Sequence, residues 1–187
     1  MTTTNLKVLK KRLTEMLIAR SVHRGTFTLS SGRQSPFYID ARLTTMSAEG
    51  LELIGQLGLA TIRDAGWQPK CVGGLTLGAD PVACAIAAAS NATPPVVDAF
   101  TVRKEPKAHG TGRQIEGCFS SGLPVVVVED VLTTGGSAMR AAEVVTKAGG
   151  LVAGILAIVD REEGGATALR SAGYSVVSVV TIKDLGV

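Results

Sequence analysis

The chain has 187 residues, of which 45% are hydrophobic, 19% charged and 4% aromatic. This length fits one domain with a sizeable core, spanning residues 1–187, and the hydrophobic content is too high for a disordered chain. The formal net charge of +3 is small. Since no stripe of Lys and Arg with interleaved aromatic residues accompanies it, we expect no nucleic-acid partner.

The cysteines and the N-terminus predict a cytoplasmic protein. Cys71, Cys84 and Cys118 form no Cys-x-x-Cys pair, which argues against structural zinc and a disulfide framework and fits a reducing compartment. The N-terminal sequence MTTTNLKVLKKRL lacks the apolar core of a signal peptide. No run of about 18 apolar residues occurs, so we expect no membrane partner.

The first part of the chain contains helices and little strand. A loop and one short strand are predicted for residues 27–42, and a second strand for 70–75. Ser47 is the predicted N-cap of a helix, and Asp80 followed by Pro81 is predicted to cap an alanine-rich helix. Before these elements, apolar residues at helical spacing predict an amphipathic N-terminal helix: Leu6, Leu9, Leu13, Met16 and Leu17.

Strands and helices alternate in the rest of the chain. This alternation predicts an α/β fold with a doubly wound, mostly parallel sheet flanked by helices, and ligands at the carboxyl ends of the strands. The predicted strands are 96–102, 123–128, 151–159 and 174–182, and the predicted helices are 137–148 and 165–172.

The segment VVVVEDVLTTGGSA (125–138) indicates a binding site. Its apolar run predicts a strand buried on both faces, and a hydroxyl-rich turn leads into a helix whose N-terminus favours a phosphate. Glu129 and Asp130, at the predicted strand end, can accept hydrogen bonds from vicinal hydroxyls, so we expect a ribose that carries a phosphate. The alternative is a structural tight turn, but two adjacent carboxylates there would repel each other without a ligand.

Three other loops contain candidate functional residues. The glycine turn 73–81 is either a structural turn or a second anion site. The segment 102–117 has no apolar periodicity, which predicts a flexible basic loop that is either a solvated connection or a lid. In the segment 27–42, Phe37 and Tyr38 are either core residues or a wall against which a flat heterocycle stacks.

Together these segments resemble the orotate phosphoribosyltransferase family of type I phosphoribosyltransferases. The resemblance runs from about Phe27 to Arg161. The pair Asp160-Arg161 follows the strand 151–159 as in that family. Four motifs carry the resemblance in the expected order: FTLSSGRQSPFYID at 27–40, the glycine turn at 73–81, RKEPKAHG at 103–110, and the signature at 125–138.

The resemblance implies a fold, an activity and an assembly. The implied fold has a small N-terminal hood and a flexible basic lid loop. The implied reaction transfers the 5-phosphoribosyl group from phosphoribosyl pyrophosphate (PRPP) to orotate, giving orotidine 5′-monophosphate and pyrophosphate in de novo pyrimidine (UMP) biosynthesis. Mg²⁺ is the implied cofactor, bound by pyrophosphate and ribose oxygens with few direct protein ligands, and no metal-binding residue is assigned. The lid of one subunit reaches its neighbour's site, which implies a homodimer with shared active sites.

The resemblance also assigns roles to residues. Thr133 and Arg161 contact orotate. The implied catalytic residues are Lys107, Arg103, His109 and Asp130. PRPP is bound by the basic loop through Arg103, Lys104, Lys107 and His109, and by the signature through Glu129, Asp130, Val131, Leu132, Thr133, Thr134, Gly135, Gly136 and Ser137.

Two positions depart from the family pattern. Ser30 stands where many members have Lys, and Gly78 lies near a position where some members have Lys. Each departure removes a cation from the phosphate side, so that contact is either lost or made by Arg33 or Arg42. A phosphoribosyltransferase for another base and a sugar-phosphate-sensing regulator remain alternatives. The order of basic residues in the loop argues against the first, and the absence of an additional binding module argues against the second.

Overall fold

The computed structural model describes residues 3–28, 34–105 and 113–187. The described helices are α1 (Thr3–Arg20), α2 (Arg42–Thr45), α3 (Ala48–Asp64), α4 (Ala79–Ala92), α5 (Gly136–Lys147), α6 (Gly165–Ser171) and α7 (Ile182–Leu185). The described strands are β1 (Val22–Thr28), β2 (Gln34–Ile39), β3 (Cys71–Leu75), β4 (Asp98–Val102), β5 (Ile115–Gly117), β6 (Pro124–Leu132), β7 (Leu151–Asp160) and β8 (Val176–Thr181).

The main sheet is mostly parallel, as the sequence predicts. Its six strands lie in the order β5-β4-β3-β6-β7-β8. Strand β5 pairs antiparallel with β4, whereas the other pairs in the sheet are parallel. The sequence did not predict β5, because three residues are too few to show an alternation of apolar and polar side chains.

The valine run of β6 is the centre of the core. Val125, Val126, Val127 and Val128 have no exposed surface. Alternate valines belong to different apolar clusters on the two faces of the sheet, one built with α3 and α4 and the other with α5. Burial on both faces explains why this strand reads as an unbroken apolar run.

The N-terminal region differs from its prediction in one respect. Helix α1 is present and buries its apolar side chains Leu9, Leu13, Met16 and Leu17. The short strand predicted within 27–42 is confirmed as β2, but the sequence missed β1, which pairs antiparallel with β2 in a separate two-stranded sheet. Most residues of β1 are exposed, so its sequence lacks the apolar alternation that would have revealed it. The helix and this sheet form the small hood.

Two predicted helix caps have different outcomes. The Ser47 cap of α3 is confirmed, since the Gly50 N–H donates to Ser47 Oγ at 3.2 Å. The prediction that Asp80 caps α4 is wrong: the helix begins at Ala79, its N-cap is Gly78, and no side chain caps it. No described helix is long and apolar enough to cross a membrane.

Candidate functional site

Two of the candidate loops and Arg161 lie at one edge of the main sheet. Strands β3, β6 and β7 are parallel neighbours, so their carboxyl ends meet at the same edge. The turn 76–78 follows β3, the loop 133–135 follows β6, and Arg161 follows β7. The fold therefore brings the glycine turn, the signature loop and Arg161 together.

The signature loop surrounds a cavity of about 330 Å³, called here the first cavity. Helix α5 starts at Gly136, and its N-cap, Gly135, has a φ of 86° and offers no capping side chain. The first-turn N–H groups of α5 thus lack a side-chain acceptor, and the helix dipole favours an anion beside them. All the predicted PRPP-binding residues of the signature except Asp130 line this cavity: Glu129, Val131, Leu132, Thr133, Thr134, Gly135, Gly136 and Ser137.

The two acids lie within β6 rather than after it. The prediction that the strand ends at Glu129 was wrong, because pairing with β7 continues to Leu132. Glu129 Oε2 is buried and has no hydrogen-bond partner among the described residues. Its burial raises the pKa of Glu129 to about 8, and the negative charge of Asp130 adds to this rise. Protonation of Glu129 below this pKa would relieve the predicted repulsion between the two acids.

Asp130 points to a second cavity of about 340 Å³, which both acids line. Burial raises the pKa of Asp130 above its ordinary value, although the Val131 N–H, which donates to Asp130 Oδ1 at 2.9 Å, opposes this rise. Glu129, Val131 and Ser137 line both cavities, so the cavities adjoin. The other lining residues of the second cavity are Tyr38, Ile39, Asp40, Ala41, Arg42, Leu75, Thr76, Leu77, Gly78 and Lys104.

The glycine turn approaches Asp130 closely at Gly78. A Cβ atom at this position would lie 2.5 Å from Asp130 Oδ1, which is closer than van der Waals contact. Glycine at position 78 therefore lets the turn and the acid pair lie against each other. A larger residue at position 78 would require the Asp130 carboxylate to move.

Asp80 fixes this turn instead of capping α4. The Thr76 hydroxyl donates to Asp80 Oδ2 at 2.7 Å, and the Thr101 hydroxyl donates to Asp80 Oδ1. Thr76 lines the second cavity, and Thr101 lies on β4 just before the basic loop. One carboxylate thus connects the glycine turn with the strand that leads to Arg103.

The described residues at the base of the basic loop are hydrogen-bonded to each other and to helix α5. The Arg103 N–H donates to Gln114 O at 2.9 Å, and Gln114 Nε2 donates to Arg103 O at 3.0 Å. From α5, Arg140 Nη2 donates to the Lys104 carbonyl and to Glu105 Oε1, the latter at 2.9 Å. Lys104 lines the second cavity, its role in binding pyrophosphate stays a prediction, and Arg103 Nε is buried without a partner in the described chain.

Several predicted residues lie outside the described part of the chain. Lys107 and His109 of the basic loop are among them, as are Ser30 and Arg33 of the N-terminal motif. Their assigned roles stay predictions.

Arg161 lies beside the signature loop. Its backbone N–H donates to Leu132 O at 2.9 Å, which places it next to Thr133. The guanidinium carbon lies 4.7 Å from the centre of the Phe37 ring, and Nη2 pairs with Glu163 Oε1 at 2.7 Å. Arg161 Nε is buried and unpartnered among the described groups. The buried guanidinium thus lies over an aromatic ring, and a planar guanidinium can bind a carboxylate with two hydrogen bonds.

Sequence reasoning missed three contributors to the site. Asp40 has a readable signal, an Asp-x-Arg pattern directly after a strand. Asp80 gave a signal that was assigned to capping. Arg140 gave none, because an arginine on an exposed helix face is common and its contact with Lys104 depends on the tertiary fold.

Comparison with known proteins assigns a family. No protein-family model matches the chain. The orotate phosphoribosyltransferase of Mycobacterium tuberculosis (strain H37Rv) is 45% identical over 177 residues, covering 95% of this chain and 96% of the relative. The orotate phosphoribosyltransferase of Rhodopirellula baltica is 40% identical over 178 residues, covering 93% and 92%.

A solved structure agrees with these relatives. The crystal structure of Mycobacterium tuberculosis orotate phosphoribosyltransferase in complex with PRPP has a TM-score of 0.81 and 41% identity, and it covers 96% of this chain and 99% of that chain. This similarity confirms the predicted type I phosphoribosyltransferase fold. The extent of identity over nearly whole chains shows that this chain belongs to the orotate phosphoribosyltransferase family.

Proposed function

We propose that this chain transfers the 5-phosphoribosyl group of PRPP to orotate, releasing pyrophosphate and forming orotidine 5′-monophosphate for pyrimidine biosynthesis. One observation carries the proposal: two adjoining cavities share Glu129, Val131 and Ser137. The first offers a helix N-terminus for a phosphate, and the second contains cationic side chains for a diphosphate. A ligand with anions at both ends and a diol between them matches this arrangement.

The charges at the site suit the bond that must break. As pyrophosphate leaves, the anomeric carbon becomes positive and the leaving group becomes negative. Lys104 at the second cavity, together with the predicted Arg103, Lys107 and His109, stabilises the leaving group. Glu129 and Asp130 orient the ribose hydroxyls and favour positive character on the sugar, while Arg161 holds the orotate carboxylate.

Mg²⁺ is part of the proposal. No group of three or more His, Cys, Asp or Glu side chains able to hold a metal occurs in the described residues. The Glu129 oxygen without a partner and the adjacent Asp130 carboxylate offer oxygen ligands. This fits an ion that takes most of its ligands from water and substrate oxygens, as Mg²⁺ often does. When bound, it would supply positive charge to the diphosphate.

The homodimer and the cytoplasmic location also remain proposals. The three cysteines are free, which supports a reducing compartment.

Lys104 lines the cavity of its own chain, so an exchange between subunits would concern the tip of the loop. Mixing a Lys107→Ala variant with an Arg161→Leu variant tests shared sites: hybrids should recover activity, and hybrids as inactive as the two parents would contradict sharing.

The activity is tested by following orotate absorbance with PRPP and Mg²⁺ present, then omitting each component in turn. We expect a change in absorbance only in the complete mixture. No change in the complete mixture would contradict the proposal. A parallel panel of adenine, hypoxanthine and uracil tests transfer to another base.

A further inference from the structure

We propose that Arg42, fixed by Asp40, is a further binding residue for the diphosphate part of the donor. The inference rests on the proposed function and deepens it. It concerns the wall of the second cavity that the hood contributes, where strand β2 ends and helix α2 begins.

Arg42 lies among acidic side chains in this cavity. Asp40, Glu129 and Asp130 line it and are acidic, whereas Arg42 and Lys104 are the cations among its described lining residues. A diphosphate bound next to three acids needs nearby positive charge. Arg42 is one of the two described groups that supply it, and the glycine turn 76–78 lines the same space.

Asp40 holds the Arg42 guanidinium in a fixed orientation. Arg42 Nε donates to Asp40 Oδ1 at 2.8 Å and Nη2 donates to Asp40 Oδ2 at 2.9 Å. The Arg42 backbone N–H donates to the same carboxylate at 3.2 Å. Two parallel hydrogen bonds hold the guanidinium plane in one orientation, and Nη1 keeps donors that Asp40 does not use. The Arg42 side chain is half exposed, so an arriving anion can reach it.

Arg42 also acts electrostatically on Asp130. Arg42 opposes the rise in the pKa of Asp130, and the hydrogen bond to Arg42 holds the pKa of Asp40 below its ordinary value. Arg42 therefore lies within electrostatic range of the acid assigned to the ribose. This observation also fits a simpler role, in which Arg42 only neutralises Asp130. The experiment has to separate the two roles.

Three ligands separate them: PRPP, pyrophosphate and ribose 5-phosphate, each titrated by calorimetry with Mg²⁺ into the wild type and the Arg42→Gln variant. If Arg42 binds the diphosphate, the variant loses about tenfold in affinity for PRPP and for pyrophosphate. Its affinity for ribose 5-phosphate, which lacks the diphosphate, stays unchanged. Equal losses for all three ligands, or no loss for any, would overturn the inference.

Two further variants complete the design. Arg42→Lys keeps the charge but not the paired hydrogen bonds, so we expect it to lose less PRPP affinity than Arg42→Gln; an equal loss would overturn a role for the charge. Arg12→Gln is the matched control, because Arg12 pairs with Glu49 at 2.7 Å on the surface and lines neither site cavity. A wild type that binds no PRPP would refute the proposed function, whereas tight PRPP binding by both wild type and Arg42→Gln would refute this inference alone.

Discussion

The two loops proposed to bind anions at the sheet edge differ in the groups that would bind the anion. The loop after β6 contains no charged side chain between Thr133 and Ala138, and its anion site depends on backbone N–H groups and on the left-handed Gly135. The turn after β3 is held by the nearby Asp80 carboxylate, and its proposed anion site depends on side chains from other segments, namely Arg42 and Lys104. The first site depends on the backbone conformation of one continuous segment, whereas the second depends on tertiary contacts between segments.

The largest effect is expected at Glu129, where the two cavities meet. Since the pKa of Glu129 rises from its ordinary 4.5 to about 8 in the folded protein, the folded state binds the extra proton between these values. The free energy of unfolding therefore falls as pH rises through this window, by as much as roughly 1.4 kcal/mol per pH unit. In Glu129→Gln this contribution to the pH dependence should vanish, as denaturant titrations across the window can measure. Parallel pH profiles of wild type and variant would contradict the prediction.

The same proton links pH to donor binding. Ribose hydroxyls and Mg²⁺ favour the ionised carboxylate, so binding of PRPP with Mg²⁺ near neutral pH should release a fraction of a proton from Glu129. Calorimetry in buffers of different ionisation enthalpy measures this release. The Glu129→Gln variant serves as the control, and an identical release from it would assign the proton to another group.

Gly135→Val tests the backbone-built loop. A φ of 86° is unfavourable for a β-branched residue, and the new Cβ would lie 3.1 Å from Gly165 O. We expect kcat/KM for PRPP to fall roughly 10²-fold, because the N–H groups lose their alignment. Gly173→Val is the matched control: its φ is 92°, and nothing lies within 4 Å of an added Cβ. Equal losses of activity in both variants would mean that backbone strain alone causes the loss in Gly135→Val.

Gly78→Ala tests the contact between the loops. The backbone at Gly78 is helical, with φ −60° and ψ −40°, so alanine is allowed there and the conflict lies with the Asp130 carboxylate alone. Displacing this carboxylate should raise KM for PRPP about tenfold, the scale of a lost charged hydrogen bond. Affinity for orotate should change little. Steady-state kinetics with each substrate varied decides, and a KM for PRPP equal to that of the wild type would mean that the position of Asp130 is not critical.

The same contrast explains what the sequence could predict. Val125–Val128 and the glycines after them lie in one continuous segment, so the strand, the turn and the phosphate site could be predicted together. Asp80 was assigned to a helix cap, because a local pattern cannot show that Thr101 lies beside it. The exposed strand β1 was missed for a related reason, since its pairing with β2 leaves no apolar alternation. The contact between Thr101 and Asp80 and the exposure of β1 are features that the local sequence pattern could not show.

We expect Asp80→Asn to have the smallest effect of these substitutions. It tests directly whether the turn after β3 depends on its side chains. Asparagine keeps the shape of the side chain but can accept a hydroxyl hydrogen at one oxygen only, so Thr76 or Thr101 loses its acceptor. The cost of about 1 kcal/mol should appear as a roughly fivefold rise in KM for PRPP with kcat nearly unchanged.

The control for Asp80→Asn is Ser47→Ala, which removes the α3 cap and should lower the free energy of unfolding by about 1 kcal/mol without changing that KM. The two substitutions thus cost similar free energy, but only Asp80→Asn has its effect at the site. If both raised KM equally, the turn after β3 would depend on global stability rather than on its side chains, and the difference between the two loops would disappear.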